Sequence, residues 1–366
     1  MAVTQSVTKR FGILTAGGDC PGLNAAIRGI CRAAHDRYEM EIIGIADGFK
    51  GLIEEDTRIL KPEDFSGILT LGGTILGSSR EKPFGATKSS DKDDVDSEKV
   101  TAIIDTYSRL GLDCLVVLGG NGTNTTGSKL SREGLNVIGL PKTIDNDIVG
   151  TDRTFGFHSA LGICTEAIDR LHSTAESHSR VIVLEVMGNK AGWLALHSGI
   201  AGGGDVILLP EIPYNIKDIA RHLEKRAKSG KTFSIVVVAE GVMSIKEAEM
   251  DKKDRKKYRQ EMGPSAAYRV AKEIQEETGM ETRAVVLGYM QRGGTPSSSD
   301  RVLATCLGTA AVDLLAKGKY GRMVALIGND VGSIDLSVPE GKIKNVPNDH
   351  YMIDAARAVG TCMGID

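Results

Sequence analysis

Aromatic residues are scarce in this chain, 4% of 366 residues, and there is a single tryptophan, Trp193. Base-stacking platforms are built from aromatics, so that route to nucleic acid has little to work with. An excess of one charge is missing too. The formal net charge is −3, from 45 basic and 48 acidic side chains. That balance argues against a nucleic-acid partner and leaves room for a local cationic pocket that takes a small anion. No apolar run reaches the length of a bilayer span, so no membrane partner is expected. The opening MAVTQSVTKRFGILTAGG passes into a strand-like run without the long apolar core of a signal peptide. Paired cysteines are also absent. Cys20, Cys31, Cys114, Cys164, Cys306 and Cys362 lie far apart with no C-x-x-C, which speaks against a zinc ribbon or a disulfide framework. Free thiols in a cytoplasmic protein are the expectation.

What the chain does have is alternation. Short apolar runs rich in β-branched residues recur: FGILTA (11–16), EIIGIA (41–46), DCLVVLGG (113–120), NVIGLP (136–141), RVIVLEV (180–186), DVILLP (205–210), FSIVVVAE (233–240), AVVLGYM (284–290) and MVALIG (323–328). Helix-period segments lie between them, among them NAAIRGICRAAHDRY (24–38), IKDIARHLEKRAKSG (216–230) and AAYRVAKEIQEETG (266–279). Between 120 and 136 the sequence reads as a short polar segment. Continuous apolar strands alternating with helices predict a doubly wound α/β architecture with parallel sheets covered on both faces. Ligands are then expected beyond the carboxyl ends of strands. The length exceeds what one core usually organises, so two domains or one large α/β unit are expected. The charged stretches KEAEMDKKDRKKYRQE (246–261) and DKDDVDSEK (91–99) read as solvated faces.

Glycine pairs punctuate this pattern. GGDCPG follows the first strand, LGGTILGSSR (71–80) ends in Arg80, and GGNGTNTTG (119–127) follows another strand. None is a G-x-G-x-x-G or a Walker A motif. Glycine permits close backbone approach, and a helix start adds oriented N–H donors, so three such loops at strand ends point to phosphate binding. The stretch LPKTIDNDI (140–148) sets Asp145 and Asp147 one residue apart beside Thr143 and Lys142. Alone, such aspartates serve as caps or turn residues as readily as catalysts. Beside phosphate loops they suit a general base and a magnesium-organising group, which phosphoryl transfer to a hydroxyl requires. Arg180, Arg283 and Arg292 stand near predicted strand ends, where several cations together suggest clamps for an acceptor phosphate.

Eight blocks, GILTAGGDCPGLNAAIRG, GGTILGSSR, GGNGT, PKTIDNDIVGTD, SRVIVLEVMGNKAGW, AGGGDVILLPE, AEGV and LGYMQRGGTPSSSDR, occur between about residue 10 and about residue 330. In order and spacing they resemble the 6-phosphofructokinase family. The resemblance implies two similar Rossmann-like α/β domains with the active site in the cleft between them. Residues 1–155 plus about 291–330 would form a larger nucleotide-binding domain and 156–290 a sugar-phosphate-binding domain, with 331–366 a C-terminal extension. It implies Mg²⁺ and ATP as cofactor and donor, and fructose 6-phosphate as acceptor. It also implies a homotetramer, or a homodimer, whose active sites are shared between subunits. Gly18, Arg80, Glu81, Gly120, Asn121, Gly122 and Thr123 match the nucleotide site. Thr143 and Asp145 match the residues at the sugar hydroxyl, with Asp145 as general base and Lys142 beside them. Asp147, with Asn121, stands near the metal. Arg180, Met187, Gly188, Asn189, Glu240, Arg283, Tyr289 and Arg292 match the sugar-phosphate pocket, and the counterparts of Arg180 and Arg283 reach in from a neighbouring subunit.

The chain departs from the family pattern at three positions. Asn121 replaces a magnesium-associated aspartate, and Asn189 replaces an arginine near the transferring phosphate. Lys142 replaces the glycine of simple bacterial ATP-using members, and a cation there would offset part of the charge lost at Asn189. Pyrophosphate-using relatives share the lysine but carry aspartate where this chain has Gly122, and some eukaryotic ATP-using members combine this lysine with this glycine. The resemblance therefore implies ATP-dependent phosphorylation of the sugar's 1-hydroxyl. A pyrophosphate-dependent phosphotransferase, a nucleotide-binding regulatory homologue weakened at Asn121 and Asn189, and a lipid or NAD kinase are the alternatives.

Overall fold

The computed structural model describes residues 5–85, 97–263 and 265–365. Most of the acidic stretch 91–99 therefore lies outside the described residues; its last three positions open the helix Ser97–Arg109. The chain divides into two compact units. Unit one comprises Met1–Ile144, Ile148–Ser159 and Arg292–Ile343, and unit two comprises Asp145–Asp147, Ala160–Gln291 and Lys344–Asp366.

The strands, in chain order, are β1 (Arg10–Thr15), β2 (Glu41–Ile45), β3 (Thr57–Ile59), β4 (Cys114–Gly119), β5 (Val137–Thr143), β6 (Phe155–Gly156), β7 (Val181–Val186), β8 (Val206–Leu208), β9 (Ser234–Ala239), β10 (Thr282–Val286), β11 (Arg322–Ile327) and β12 (Asp330–Asp335). Every residue of β4, β7 and β9 is buried, as expected of strands covered by helices on both faces. Unit one orders its sheet β12-β11-β5-β4-β1-β2-β3, with β6 beside β5. Its edge pairs, β2 with β3 and β11 with β12, are antiparallel, so this sheet is mixed where an all-parallel one was expected. Unit two has a parallel sheet ordered β10-β7-β9-β8. Leu14, Leu115, Val117, Val137 and Met323 anchor the core on one face of the first sheet. Val183, Val206, Val236, Val270 and Ile274 do the same in unit two.

Three local readings need correction. Residues 121–132 form the helix Asn121–Arg132; its polar composition hid a helix that buries Thr123, Asn124, Gly127, Ser128 and Leu130, nearly all of them small side chains. The segment 71–80 follows the 3₁₀ turn Ile68–Thr70 and no strand. The apolar run 284–290 leaves the sheet after Val286, because Gly288 takes φ +51° and opens the 3₁₀ helix Gly288–Arg292. In the charged stretch, the helix Lys252–Met262 buries no side chain.

In unit one the chain enters at β1, builds β2 and β3 on one side, then crosses to β4 and β5 on the other. The switch in direction falls between β1 and β4, where a crevice opens at the carboxyl ends of the strands.

Candidate active site

Gly17 and Gly18 follow β1, and Gly119 and Gly120 stand at the end of β4, so both glycine pairs meet at the switch point of unit one. Thr123, in the first turn of the helix after β4, donates its hydroxyl to the Ala16 carbonyl at 3.3 Å and ties the two loops together. A Cβ on Gly119 would lie 2.1 Å from that hydroxyl, so only glycine fits there. Asn121, Gly122 and Thr123 open a helix with no side-chain cap and no acidic residue in its first turn. The N–H groups of its first turn and its positive dipole end suit an anion. Around Gly22 the chain turns at φ +109° into the helix Leu23–Tyr38. A cavity of about 350 Å³ is lined by Gly17, Gly18, Asp19, Thr74, Ser78, Ser79 and Arg80. Glycine and hydroxyl groups with one guanidinium suit a phosphate chain. Glu81, next to Arg80, makes an ion pair with Lys99 at 3.0 Å.

Lys142 comes from the end of β5. Its side chain is buried, 3% exposed, and its ammonium donates to the Gly18 carbonyl. Arg292 donates to the Asp19 carbonyl at 3.1 Å, so it sits on the β1 loop of unit one. The Cys20 thiol lies in the same region, and burial pushes its pKa up to about 12; it stays a neutral packing group.

Past Thr143 the chain turns sharply. Asn146 takes the left-handed conformation, φ +51°, which asparagine tolerates better than most residues. This residue separates Asp145, which is half-buried, from Asp147, which is 6% exposed. In unit two, β7, β9 and β10 present their carboxyl ends side by side. Met187, Gly188 and Asn189 follow β7, Glu240 follows β9, and Tyr289 lies in the 3₁₀ turn after β10. The Asn189 N–H donates to Glu240 at 2.7 Å. Gly188 has φ +147° and Asn189 φ +53°, and a Cβ on Gly188 would lie 2.5 Å from the Ala191 carbonyl oxygen. Asparagine at 189 therefore suits the backbone bend. Tyr289 is 76% exposed.

Arg180 and Arg283 are not with these residues. They sit at the amino ends of β7 and β10, whereas Met187–Asn189, Glu240 and Tyr289 lie beyond the carboxyl ends of the same sheet. Both guanidiniums converge on Glu281, Arg180 at 2.8 Å and Arg283 at 2.6 Å from the same carboxylate oxygen.

One residue escaped the sequence reading. Gln291 is fully buried, and its side-chain oxygen accepts the Met187 N–H at 3.0 Å and the Cys164 thiol at 3.1 Å. It fixes the start of the Met187–Asn189 turn. Its only signal in sequence was a polar residue beside Arg292.

A doubly wound unit with glycine-built loops at its switch point, and a second parallel sheet with Met187–Asn189 and Glu240 at its strand ends, fits a phosphoryl-transfer enzyme of the nucleotide- and sugar-handling kind. The phosphofructokinase family profile matches residues 10–315, and the chain belongs to that family. It is 63% identical over 98% of its length to the ATP-dependent 6-phosphofructokinase of Spirochaeta thermophila, covering 99% of that protein. Its identity to ATP-dependent 6-phosphofructokinase 3 of Bacteroides thetaiotaomicron is 53%, over 97% of this chain and all of that one. It is 46% identical to the pyrophosphate–fructose 6-phosphate 1-phosphotransferase of Amycolatopsis methanolica, over 93% of this chain and 97% of the other. The crystal structure of Pichia pastoris phosphofructokinase superposes with a TM-score of 0.79 at 29% identity, covering 99% of this chain and 38% of that one.

Proposed function

We propose that this chain is a 6-phosphofructokinase that moves the terminal phosphoryl group of ATP onto the 1-hydroxyl of fructose 6-phosphate, yielding fructose 1,6-bisphosphate in glycolysis. The observation that carries this reading is Asp145 on the turn after β5, next to Thr143 and Lys142, in a chain whose β1 and β4 loops are built for phosphate. The 1-hydroxyl is a poor nucleophile until a base accepts its proton, and Asp145 has that role. Lys142, Arg80 and the helix start at Asn121–Thr123 orient the donor and offset its charge. Glu240 and the Met187–Asn189 turn hold the sugar. Arg180 and Arg283 clamp the 6-phosphate of a neighbouring copy in a homotetramer or homodimer, which their distance from their own pocket supports.

The donor assignment rests on Gly122. A Cβ there would meet nothing within 4 Å, so the space beside the helix start is open and uncharged for a nucleoside triphosphate. Lys142 favours pyrophosphate as a second reading, since the same cation serves an inorganic donor. The names of the two ATP-dependent relatives support ATP over it.

Among the described residues no cluster of three or more His, Cys, Asp or Glu could hold a metal. Mg²⁺ takes most of its ligands from phosphate oxygens and water and needs only one or two from protein. Asp147 and Asn121 are the candidate ligands, and the ion would supply charge neutralisation at the phosphates. No helix among the described residues is long and apolar enough to cross a membrane, and no disulfide joins the cysteines. Phosphorus NMR of a mixture of pure protein, Mg-ATP and fructose 6-phosphate tests the reaction. A new phosphate ester at carbon 1 is expected, and ATP hydrolysis without that ester would refute it.

A further inference from the structure

The family profile ends at residue 315, yet the chain from Lys344 onward returns to unit two. There its main chain makes a short set of hydrogen bonds. The Lys344 N–H donates to the Asp147 carbonyl at 2.8 Å. The Lys344 carbonyl accepts the Trp193 indole N–H at 2.7 Å, and the Lys344 ammonium lies 5.6 Å from the centre of that ring. Two residues on, the Val346 N–H donates to Glu211 at 2.9 Å, and the same carboxylate oxygen accepts the Gly192 N–H at 2.9 Å. A Cβ on Gly192 would lie 2.7 Å from the other oxygen of Glu211, so the carboxylate seats closely on a glycine. The far end is fastened too. Cys362 pairs in parallel with Val206 of β8, with Ile207 donating to the Cys362 carbonyl at 2.9 Å and Cys362 to the Asp205 carbonyl at 3.0 Å.

One residue, Lys344, thus joins two loops through its main-chain N–H and its main-chain carbonyl. Its N–H holds the turn that carries Asp145 and Asp147, and its carbonyl holds Trp193, four residues past Asn189. We propose that the C-terminal segment is a positioning strap for the reaction: Lys344 fixes the Asp145–Asp147 turn against the Met187–Trp193 loop, and Glu211 locks the strap by gripping Gly192 and Val346. The inference rests on the role given to Asp145. Asn146 holds the turn in a left-handed conformation that the backbone prefers to leave, so an external bond to the Asp147 carbonyl sets where the carboxylates point. A misplacement of about 1 Å at a catalytic group costs on the order of a hundredfold in rate.

The strap acts through main-chain atoms, which gives a clean pair of variants. Lys344→Pro removes the N–H, whereas Lys344→Ala keeps it. Both are assayed in the full-length chain, with hydrogen exchange of the peptide covering 140–148 followed alongside. Lys344→Pro is expected to lower kcat at least about tenfold, with KM for both substrates within about threefold, and to speed exchange in that peptide. Lys344→Ala is expected to keep at least half of kcat and the wild-type exchange. A folded Lys344→Pro protein with kcat within twofold of Lys344→Ala, or an alanine variant as slow as the proline one, would overturn the proposal. If Lys344→Pro does not fold, Trp193→Phe decides, because it keeps an aromatic side chain and removes the donor to Lys344. A threefold fall in kcat with faster exchange supports the strap, and no change in either refutes it. A wild-type protein that makes no sugar bisphosphate would instead sink the functional reading, while the exchange comparison still tests the strap.

Discussion

Asp145 and Asp147 owe their separation to the residue between them. With Asn146 at φ +51°, the chain reverses within three residues, so Asp145 stays half-buried while Asp147 turns inward. The motif TIDND announced two carboxylates at a strand end, and the structure puts them there. The left-handed asparagine was not legible, because one side chain gives no signal of its φ. For Asp145→Asn, kcat should fall by about 10²–10⁴-fold with fructose 6-phosphate affinity little changed, as loss of a general base requires. Steady-state rates together with calorimetric binding of the sugar check this, and a variant keeping over half of kcat would remove Asp145 from that role. Gly122 offers a second test at the same scale. An aspartate there meets no protein atom within 4 Å of its Cβ, and it lies in a helix first turn, where a negative charge is favourable. The fold should therefore tolerate Gly122→Asp with an unchanged melting temperature. A like charge about 4 Å from a phosphate costs between about 1 and 4 kcal/mol, so kcat/KM for ATP should drop at least about tenfold. Unimpaired use of ATP would show that the donor does not pass this residue.

At the level of elements, strands with continuous apolar runs were readable, since nothing else in a soluble chain repeats such runs. Helices rich in small and polar residues were not. The helix Asn121–Arg132 holds Gly122 and Gly127 and has weak intrinsic propensity, so tertiary packing against β4 and β5 decides its conformation. The antiparallel edge strands β3 and β12 were missed for a related reason: β12 is largely exposed and lacks an apolar run. Helix packing carries its own test. The helix Ser298–Ala316 crosses the helix Leu23–Tyr38 at two glycines. A Cβ on Gly308 would lie 2.9 Å from the Ala26 carbonyl oxygen, and one on Gly29 would lie 3.1 Å from the Thr305 carbonyl oxygen. Gly308→Val should destabilise by about 1–3 kcal/mol through overpacking. Gly162, inside the helix Phe157–His178, faces open space, and Gly162→Ala should stabilise by about 0.5–1 kcal/mol. Thermal melts of both variants check the contrast; equal shifts of the same sign would contradict it.

For the molecule as a whole, the question is how each active site is completed. The glycine pairs after β1 and β4, the Asp145–Asp147 turn after β5 and Glu240 after β9 lie at carboxyl ends of strands, whereas the 71–80 loop follows a 3₁₀ turn. Arg180 and Arg283 lie at the other end of their sheet, gathered on Glu281, which spacing along one chain could not reveal. If a neighbouring copy receives them, Arg180→Ala and Arg283→Ala should raise KM for fructose 6-phosphate and leave that for ATP nearly unchanged. The loss of a charged hydrogen bond to a bound anion is worth about 1.5–3 kcal/mol. Mixing Asp145→Asn and Arg283→Ala subunits should then restore part of the activity, because some hybrid sites contain neither lesion. Hybrids shown to form by mass spectrometry yet wholly inactive would argue for self-contained sites.

The central claim is transfer from ATP to the 1-hydroxyl of fructose 6-phosphate, and the choice of donor tests it most directly. The measurement is kcat/KM for ATP and for pyrophosphate on one preparation, at saturating fructose 6-phosphate and Mg²⁺. With Gly122 leaving room for the nucleotide and Lys142 bound to the Gly18 carbonyl beside it, ATP should give the higher value and fructose 1,6-bisphosphate as product. A higher kcat/KM for pyrophosphate would contradict the account.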